Sequence, residues 1–488
     1  MSRTRPATCS RAPARPWLAL LALLGLAAAS GAEAVHAQEE ADEPRLELTT
    51  GSEAAKRHFW AGVHDALNVF APRAASHFEM ALEEDPDLGL AIVMHGFTAP
   101  GLTNEEQAAR IDEGIAALGS ASSNEMLVGL ALKEWAAGNG PAASRLFHTA
   151  SELMPGDPYV ASWATQLAGA RGDQRDVIAR WQALIDAFPD LANPHNSIAY
   201  QHFARGNEAA AFEAVRRYVE LAPDHPNPAD SHAELLQWAG RYPEAYGEYQ
   251  RAVELAPDYQ QGYVGMAEIL VLVGAGDGAR EALGRALERA PDAGARVTLM
   301  RAIANTHMID GNRDGSMGQL EQASGVAEEA GLDAAQALVH EQMALTDAVT
   351  GEGLFIGEYL DEAAALRGST NPLHHAMAGL AHAAAGDAGM ARDASGALDE
   401  SGSQFWASIA RSIDAMVLLA EGDAEAAMDE LDKADTENPV VQAVMAEAYD
   451  RLERPGAAAA LRDRVLGNRQ INVANPFWAF AYARVQAD

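Results

Sequence analysis

Residues 310–321 match the pattern of a calcium-binding loop over its whole length. The matching residues are Asp310, Asn312 and Asp314 at the first, third and fifth positions, Gly315 at the sixth and Glu321 at the twelfth. Loops of this kind bind Ca²⁺ through carboxylate and amide oxygens, and the last glutamate contributes both of its oxygens. Leu320 and Ala323, however, keep the register of a helical repeat. A weak Ca²⁺ site and a chance match in an acid-rich chain both stay open.

Other chemical patterns in the sequence are weaker. Gly274, Gly276 and Ala279 have the spacing of a dinucleotide-binding loop, but no strand–helix–strand pattern surrounds them. The histidines lack the close spacing and the third ligand that a zinc site needs. Nucleophile elbows, phosphate loops and metalloprotease helices do not occur. We therefore predict a protein that is not an enzyme, with no cofactor and no metal among its site residues.

A period of 34 residues organises the middle of the chain. Prolines recur at this spacing at positions 155, 189, 223, 257 and 291, and glycines recur 17 residues before them at 138, 172, 206, 240 and 274. A fixed period of this size is typical of stacked structural repeats. In such repeats a glycine relieves the turn between two helices, and a proline ends the second helix.

The chain resembles tetratricopeptide-repeat (TPR) proteins at these positions. Repeat 124–157, for example, has Ala131, Ala143, Phe147 and Ala150 where that family has small or large apolar residues. The resemblance implies an all-α fold, a right-handed superhelical solenoid of about eleven or twelve antiparallel helix pairs. Small residues allow the two helices of a pair to approach closely, and several stacked pairs bury the apolar faces that one pair leaves exposed.

The sequence divides into six segments. They are a signal peptide at 1–37, an acidic flexible arm at 38–54, a TPR block at 55–293 with a degenerate repeat at 89–123, divergent longer helical repeats at 294–371, TPR-like repeats at 372–475 and a C-terminal capping helix at 476–488. Within 89–123, the stretch Thr98–Gly101 is expected to break the first helix.

The N-terminus and the composition indicate an exported, acidic protein. Basic residues precede an apolar run at 17–29 and then small residues, which is the order found in export leaders; retention as a membrane anchor is the alternative. The only cysteine, Cys9, lies in this leader. The formal charge of −35 opposes binding to nucleic acid and to anionic lipid. We expect a periplasmic or secreted protein with no membrane span once the leader is removed.

The resemblance also implies a concave groove lined by the first helix of each repeat. The predicted groove residues are Tyr159, Gln166, Asn193, Asn196, Tyr200, Phe203, Asn227, Asp230, Glu234, Trp238 and Glu268. Amide side chains can pair with the backbone of an extended peptide, aromatic rings give contact area, and carboxylates select a basic ligand. Relatives that clamp a C-terminal carboxylate use Lys and Arg here, and this groove has almost none.

The expected function is therefore a non-catalytic scaffold that binds a protein or peptide, with a basic or amide-rich segment, in its groove. A small-solute or Ca²⁺-tuned binding protein is the alternative. An enzyme hidden in the divergent segment 294–371 is a third hypothesis.

Overall fold

The computed structural model describes residues 44–171, 175–351, 353–368, 370–399 and 402–486. Within these ranges the chain forms 25 α-helices and no strand. The first twelve are α1 Glu53–Leu67, α2 Ala71–Glu84, α3 Gly89–Thr98, α4 Asn104–Ala117, α5 Ser123–Ala136, α6 Gly140–Leu153, α7 Pro158–Gln166, α8 Val177–Ala187, α9 Asn193–Ala204, α10 Glu208–Leu221, α11 Pro226–Trp238 and α12 Tyr242–Leu255. The others are α13 Gln260–Leu272, α14 Gly276–Leu287, α15 Ala293–Ile309, α16 Arg313–Glu329, α17 Asp333–Thr350, α18 Ile356–Arg367, α19 Pro372–Ala385, α20 Ala388–Asp399, α21 Gln404–Glu421, α22 Ala424–Leu431, α23 Pro439–Arg451, α24 Pro455–Leu466 and α25 Pro476–Gln486.

Consecutive helices pack as pairs, and the pairs stack on one another in chain order. The first 24 helices make twelve pairs, which we number one to twelve, and α25 follows as a single helix. The all-α solenoid of stacked helix pairs is thereby confirmed. None of the helices in the described part of the chain combines the length and the apolar character that crossing a membrane requires.

The turn glycines adopt the backbone conformation that the repeat pattern predicts. Gly206 and Gly240 lie between the two helices of pairs five and six, with φ angles of 75° and 80°. Residues with a Cβ atom rarely adopt these angles, which explains why glycine recurs at this slot. Gly172, the corresponding glycine of pair four, lies outside the described residues.

Small residues let the two helices of a pair approach closely. In the first pair a Cβ atom added at Gly62 would lie 2.7 Å from the Phe78 ring, so this position admits no larger residue without movement. Ala74, Ala81 and Phe78 are all completely buried between the helices. The helices of this pair therefore meet as the repeat slots predict.

Two segments differ from their predictions. The stretch from Thr98 to Gly101 does not break the first helix of its repeat; it ends α3, and α3 and α4 form a complete pair. The first described residues of the predicted flexible arm, 44–50, lie against the solenoid. There the Leu46 amide donates to Asp157 Oδ2 at 3.0 Å, and the side chains of Leu46 and Leu48 are buried. Their apolar contacts account for this order, which the acidic composition did not suggest.

The predicted calcium loop is helical. Helix α16 begins at Arg313, so Asp314, Gly315 and Glu321 lie within it, and Asn312 caps it by accepting a hydrogen bond from the Gly315 amide at 2.9 Å. Asp310 instead accepts a hydrogen bond from Arg280 at 2.7 Å. Asp314 and Glu321 lie two turns apart along this helix, about 10 Å, which is too far for one ion to bind both, and the described residues hold no cluster of metal-ligating side chains. The helical conformation thus contradicts the hypothesis of a Ca²⁺-binding loop at residues 310–321.

The solenoid curls enough for its first pair to touch its sixth. Asp65, at the end of α1, is buried, and it accepts two hydrogen bonds from Arg73 at 2.7 and 2.8 Å. His225, the residue before α11, lies 3.6 Å from the same carboxylate. Close by, the Phe70 ring packs edge-on against Tyr259 at 5.4 Å between centroids. These contacts join one end of the stack to its middle.

Helix α25 does more than cover the last pair. It packs against α23 and α24, as a C-terminal cap would, and also against α15 and α17 of pairs eight and nine. Its residues Trp478 and Phe480 are buried in two different apolar clusters. The C-terminal helix consequently bridges the end of the stack and its middle.

Candidate functional site

The 34-residue period places the predicted groove residues in columns on successive odd-numbered helices. Tyr200, Glu234 and Glu268 occupy one column, on α9, α11 and α13, and Asn196 and Asp230 occupy a second. Residues 34 apart lie side by side because each pair repeats the geometry of the one before it. The stacking therefore brings polar and aromatic side chains from three pairs onto one surface.

Tyr200, Phe203, Glu234 and Trp238 form one contiguous cluster. The Tyr200 hydroxyl donates a hydrogen bond to a Glu234 carboxylate oxygen. The Trp238 ring lies 5.5 Å from Tyr200 and 5.6 Å from Phe203, between centroids, in edge-on contacts that aromatic rings favour. We call these four residues the acid–aromatic cluster. All four are only partly buried, so the cluster retains surface for a ligand.

Asn227 and Asp230 belong to a neighbouring hydrogen-bond network built on tyrosines. Asn227 accepts from the Tyr218 hydroxyl and donates to the Tyr259 oxygen, both at 2.9 Å. The Tyr259 hydroxyl in turn donates to Asp230 at 3.3 Å. Because Asn227 is buried and fully engaged, it supports the groove rather than facing a ligand.

The remaining predicted residues are not part of this cluster. Tyr159 stacks on Trp60 of the first pair at 5.3 Å, and Asn193 donates to Ser162 at 2.7 Å. The Asn196 Oδ1 atom is buried without a hydrogen-bond partner, and Gln166 is exposed. Pair four thus contributes less to the shared surface than pairs five to seven.

Three partly buried carboxyl groups on this surface have raised pKa values. Burial, together with the charges of Glu234 and Asp230, raises the pKa of Glu268 to about 8. Burial also raises the pKa of Asp230 and that of Glu234, and the charge of Glu234 adds to the shift at Asp230. Closely spaced carboxylates cannot all ionise without mutual repulsion. Part of this surface is therefore uncharged at neutral pH.

The raised pKa of Glu268 predicts a pH-dependent stability. The folded chain keeps this proton up to about pH 8, whereas an ordinary glutamate loses it near pH 4.5, so the free energy of unfolding falls as pH rises between these values. We expect Glu268→Gln, which is neutral throughout, to raise that free energy by about 1–3 kcal/mol at pH 8–9 and to leave it nearly unchanged at pH 5. Urea titrations across this range measure the difference.

Glu254→Gln is the matched control, because Glu254 is exposed on α12 and the substitution removes the same charge. It should shift stability far less than Glu268→Gln at pH 8–9. Parallel pH profiles for the wild type and Glu268→Gln would contradict a protonated Glu268.

The chain's own C-terminal segment lies beside this surface. We call residues 467–475, between α24 and α25, the tail segment. Gln237, next to Trp238 on α11, donates a hydrogen bond to the Arg469 backbone oxygen at 3.1 Å. Asn305 on α15 donates to the Val473 backbone oxygen at 2.8 Å. Amide side chains of the odd-numbered helices therefore bind the backbone of a non-helical segment.

Sequence reasoning missed the tyrosines and the tail segment. Tyr218 stands at a repeat position that usually holds a small residue. This departure was the signal that could have revealed the network, because the Tyr218 hydroxyl donates a hydrogen bond to Asn227. Asn305 lies in the divergent repeats, where the period gives no clear register. The contact of Gln237 with Arg469 joins residues 232 apart, and no local pattern predicts it.

A separate cleft of about 540 Å³ lies between α8, α9 and α10. Its lining includes His195, His202, Arg216 and Glu213. The His195 ring is largely buried, and burial, together with the charge of Arg217, lowers its pKa. The cleft is thus polar and carries both signs of charge.

Comparison with known proteins finds one family model and several similar solved structures. Residues 238–303 match the tetratricopeptide-repeat family model. Among solved structures, a thermophilic TPR protein of Thermus thermophilus is 19% identical, with 36% of this chain and 97% of that chain covered at a TM-score of 0.32. A tetratricopeptide repeat protein of Parabacteroides merdae is 11% identical, with 59% and 99% covered at 0.35.

PilF of Pseudomonas aeruginosa is a third similar structure, 12% identical, with 41% of this chain and 89% of that chain covered at a TM-score of 0.33. No curated protein matches the sequence. The chain therefore contains a tetratricopeptide-repeat match at residues 238–303, and stacked helix pairs continue on both sides of it.

Proposed function

We propose that the protein is a non-catalytic scaffold that captures a protein or peptide on the odd-numbered helices of pairs five to eight. One observation carries the proposal: Gln237 and Asn305 hold the backbone of a non-helical segment through hydrogen bonds of 3.1 and 2.8 Å. Hydrogen bonds to backbone atoms are independent of side-chain identity, so the same amides suit a segment from another protein. Repeat solenoids offer extended surfaces of this kind.

The acid–aromatic cluster indicates what such a partner carries. The rings of Trp238 and Phe203 supply contact area at a low cost in conformational entropy. Glu234 and its neighbour Asp230 favour a basic or amide-rich segment, because either can accept hydrogen bonds whether or not it is ionised. A partner that presents a C-terminal carboxylate fits this surface poorly.

The proposed setting is the periplasm or the extracellular space. Residues 1–37, which lie outside the described residues, have the basic, apolar and small-residue order of an export leader. A formal charge of −35 repels nucleic acid and anionic membrane surfaces and favours cationic partners.

Peptide selection tests this function. A displayed library of random twelve-residue peptides is selected against the chain without residues 1–37, and binding of the enriched peptides is measured by calorimetry. We expect the variant Asn196→Ala/Asp230→Ala/Trp238→Ala to lose at least 10-fold in affinity, about 1.4 kcal/mol, because it removes contact area and hydrogen-bonding groups together.

The control Glu208→Ala/Glu254→Ala changes two exposed glutamates on α10 and α12 and should bind like the wild type. Circular dichroism shows whether each variant is folded. Failure to enrich any peptide, or unchanged affinity in the folded triple variant, would show that this surface does not bind peptides.

Binding of a small solute is a second candidate function, favoured by the cleft between α8, α9 and α10. The two functions are separable, since the cleft lies on different residues from the acid–aromatic cluster. A solute bound there would be lost in His195→Phe, which replaces a polar ring of the lining with an apolar one, and retained in the triple variant.

A further inference from the structure

The tail segment differs from the other links between helix pairs. It has nine residues without helical structure, whereas the link before α11 has four and the link before α13 also has four. A link of four residues suffices to join two pairs, so the extra length has another consequence. It lets the chain run across the ends of α11, α13 and α15 before α25 begins.

The tail segment is held mainly through its backbone. The Arg469 oxygen accepts from Gln237 at 3.1 Å, and the Val473 oxygen accepts from Asn305 at 2.8 Å. The Val473 amide also lies close enough to the Glu268 carboxyl group to lower its pKa. Three helices from three successive pairs thus contact one short stretch, which is how a solenoid groove would hold a bound peptide.

Side chains of the tail segment alternate between buried and solvent-facing positions. Ile471 and Val473 are buried in an apolar cluster with residues of α11, α13 and α15, whereas Gln470 is exposed and Asn472 is partly so. The segment bends at Arg469 and Gln470 and turns at Val473 and Ala474, so its backbone is irregular, but Ile471 and Val473 both lie on the side that faces the stack. The β-branched residues therefore supply the apolar contacts, and the backbone supplies the polar ones.

Arg469 adds a cationic contact at one end. Its guanidinium lies against Gly240, directly after α11, where an added Cβ atom would meet the Arg469 Cζ at 2.7 Å. A cation is favoured at the C-terminus of a helix because the carbonyl groups there are oriented toward it. Glycine at this position gives the arginine room to pack on the turn.

We propose that the tail segment is an intramolecular ligand, and that the protein partner of this surface is a non-helical segment with the same chemistry. That chemistry is a basic residue followed, at the second and fourth positions after it, by β-branched apolar residues. This inference rests on the proposed function and specifies its ligand class. A partner binds by displacing the tail segment from Gln237, Glu268 and Asn305.

Because the tail segment is covalently linked to the stack, the strength of its own binding determines how well a free peptide competes with it. A segment attached by a short link acts at an effective concentration in the millimolar range, so a free peptide of equal intrinsic affinity binds poorly to the intact chain. Arg469 and Gln470 are exposed, which leaves one end of the tail segment open to exchange with an incoming chain. Weakening the tail segment should consequently raise the affinity for a free peptide of the same sequence.

Fluorescence anisotropy with a labelled peptide of residues 467–475 tests the proposal. The variant Ile471→Ser/Val473→Ser, made in the chain without residues 1–37, removes both apolar anchors of the tail segment and leaves the helices unchanged. We expect it to bind the peptide at least 10-fold more tightly than the wild type. A scrambled peptide is the control and should bind neither protein.

The milder variant Val473→Thr guards against loss of folding, because threonine keeps the β-branched shape while placing a hydroxyl in an apolar site. It should bind the peptide about 3-fold to 10-fold more tightly than the wild type. Adding Gln237→Ala to it should reduce that binding, since the Arg469 oxygen of the peptide loses its donor. Folded Val473→Thr that binds the peptide no better than the wild type overturns the proposal.

The selected twelve-residue peptides separate this inference from the function on which it rests. If they bind and are displaced by the peptide of residues 467–475, both stand. If they bind but are not displaced, the tail segment is not a ligand mimic while the scaffold function holds. If no peptide binds any variant, both fail.

Discussion

Replacing Glu341 with glutamine is expected to lower the free energy of unfolding by about 3–5 kcal/mol. Glu341 on α17 is completely buried, accepts a hydrogen bond from Arg367, and lies 2.9 Å from His374 Nδ1. Arg367 is itself largely buried, so the substitution leaves its cation without a counter-charge in a poorly solvated site. Urea unfolding followed by circular dichroism measures the loss.

The control for this prediction is Glu358→Gln, an exposed glutamate on the neighbouring helix α18. Its effect should stay within about 0.5 kcal/mol, as is usual for surface substitutions. Similar effects for the two variants would show that the ion pair between Glu341 on α17 and Arg367 on α18 does not stabilise the divergent repeats. The result matters for the groove, because α17 also contacts α25.

Replacing Trp478 with alanine is the second change with a large expected effect, about 3–5 kcal/mol. Trp478 is buried in the apolar cluster that contains Ile471 and Val473, and its ring lies 4.9 Å from Tyr482. Removing it leaves a cavity between α25 and the middle of the stack. We expect the denaturation midpoint to fall and the peptide of residues 467–475 to bind more tightly, because the tail segment loses its anchor.

Trp478→Phe separates packing from hydrogen bonding. The indole Nε1 is buried without a hydrogen-bond partner, so phenylalanine removes a polar atom that contributes nothing and keeps much of the apolar contact. The free energy of unfolding should fall less than half as much in Trp478→Phe as in Trp478→Ala. Two equally destabilising substitutions would argue that the indole ring makes a specific contact that its apolar packing does not explain.

The repeat architecture was predictable because it depends on local, periodic requirements. A glycine such as Gly240 is needed wherever the turn has a positive φ, and alanines such as Ala74 are needed wherever two helices approach closely. Each requirement recurs every 34 residues, so many weak signals add up. The calcium-loop pattern at 310–321 was misleading because it ignored this register, and the helix that begins at Arg313 follows it.

The candidate site was predictable only in part. Register alone brings Tyr200 and Glu234 together, because both occupy the same slot in successive repeats. The 34-residue register does not show which distant parts of the chain pack on that surface. The return of the tail segment to Gln237 and Asn305, and of Asp65 to His225, depends on how far each pair rotates relative to the last, a quantity summed over many interfaces.

Hydrogen exchange of the tail segment in the wild-type chain tests the central claim most directly. Mass spectrometry of peptides that cover 467–475 reports the exchange rate of the Val473 amide, which lies near Glu268 and belongs to a completely buried residue. We predict exchange at least 100-fold slower than in an unfolded chain, and faster exchange when a selected peptide is added. Exchange at the unfolded rate in the free protein would show that the tail segment does not occupy the groove.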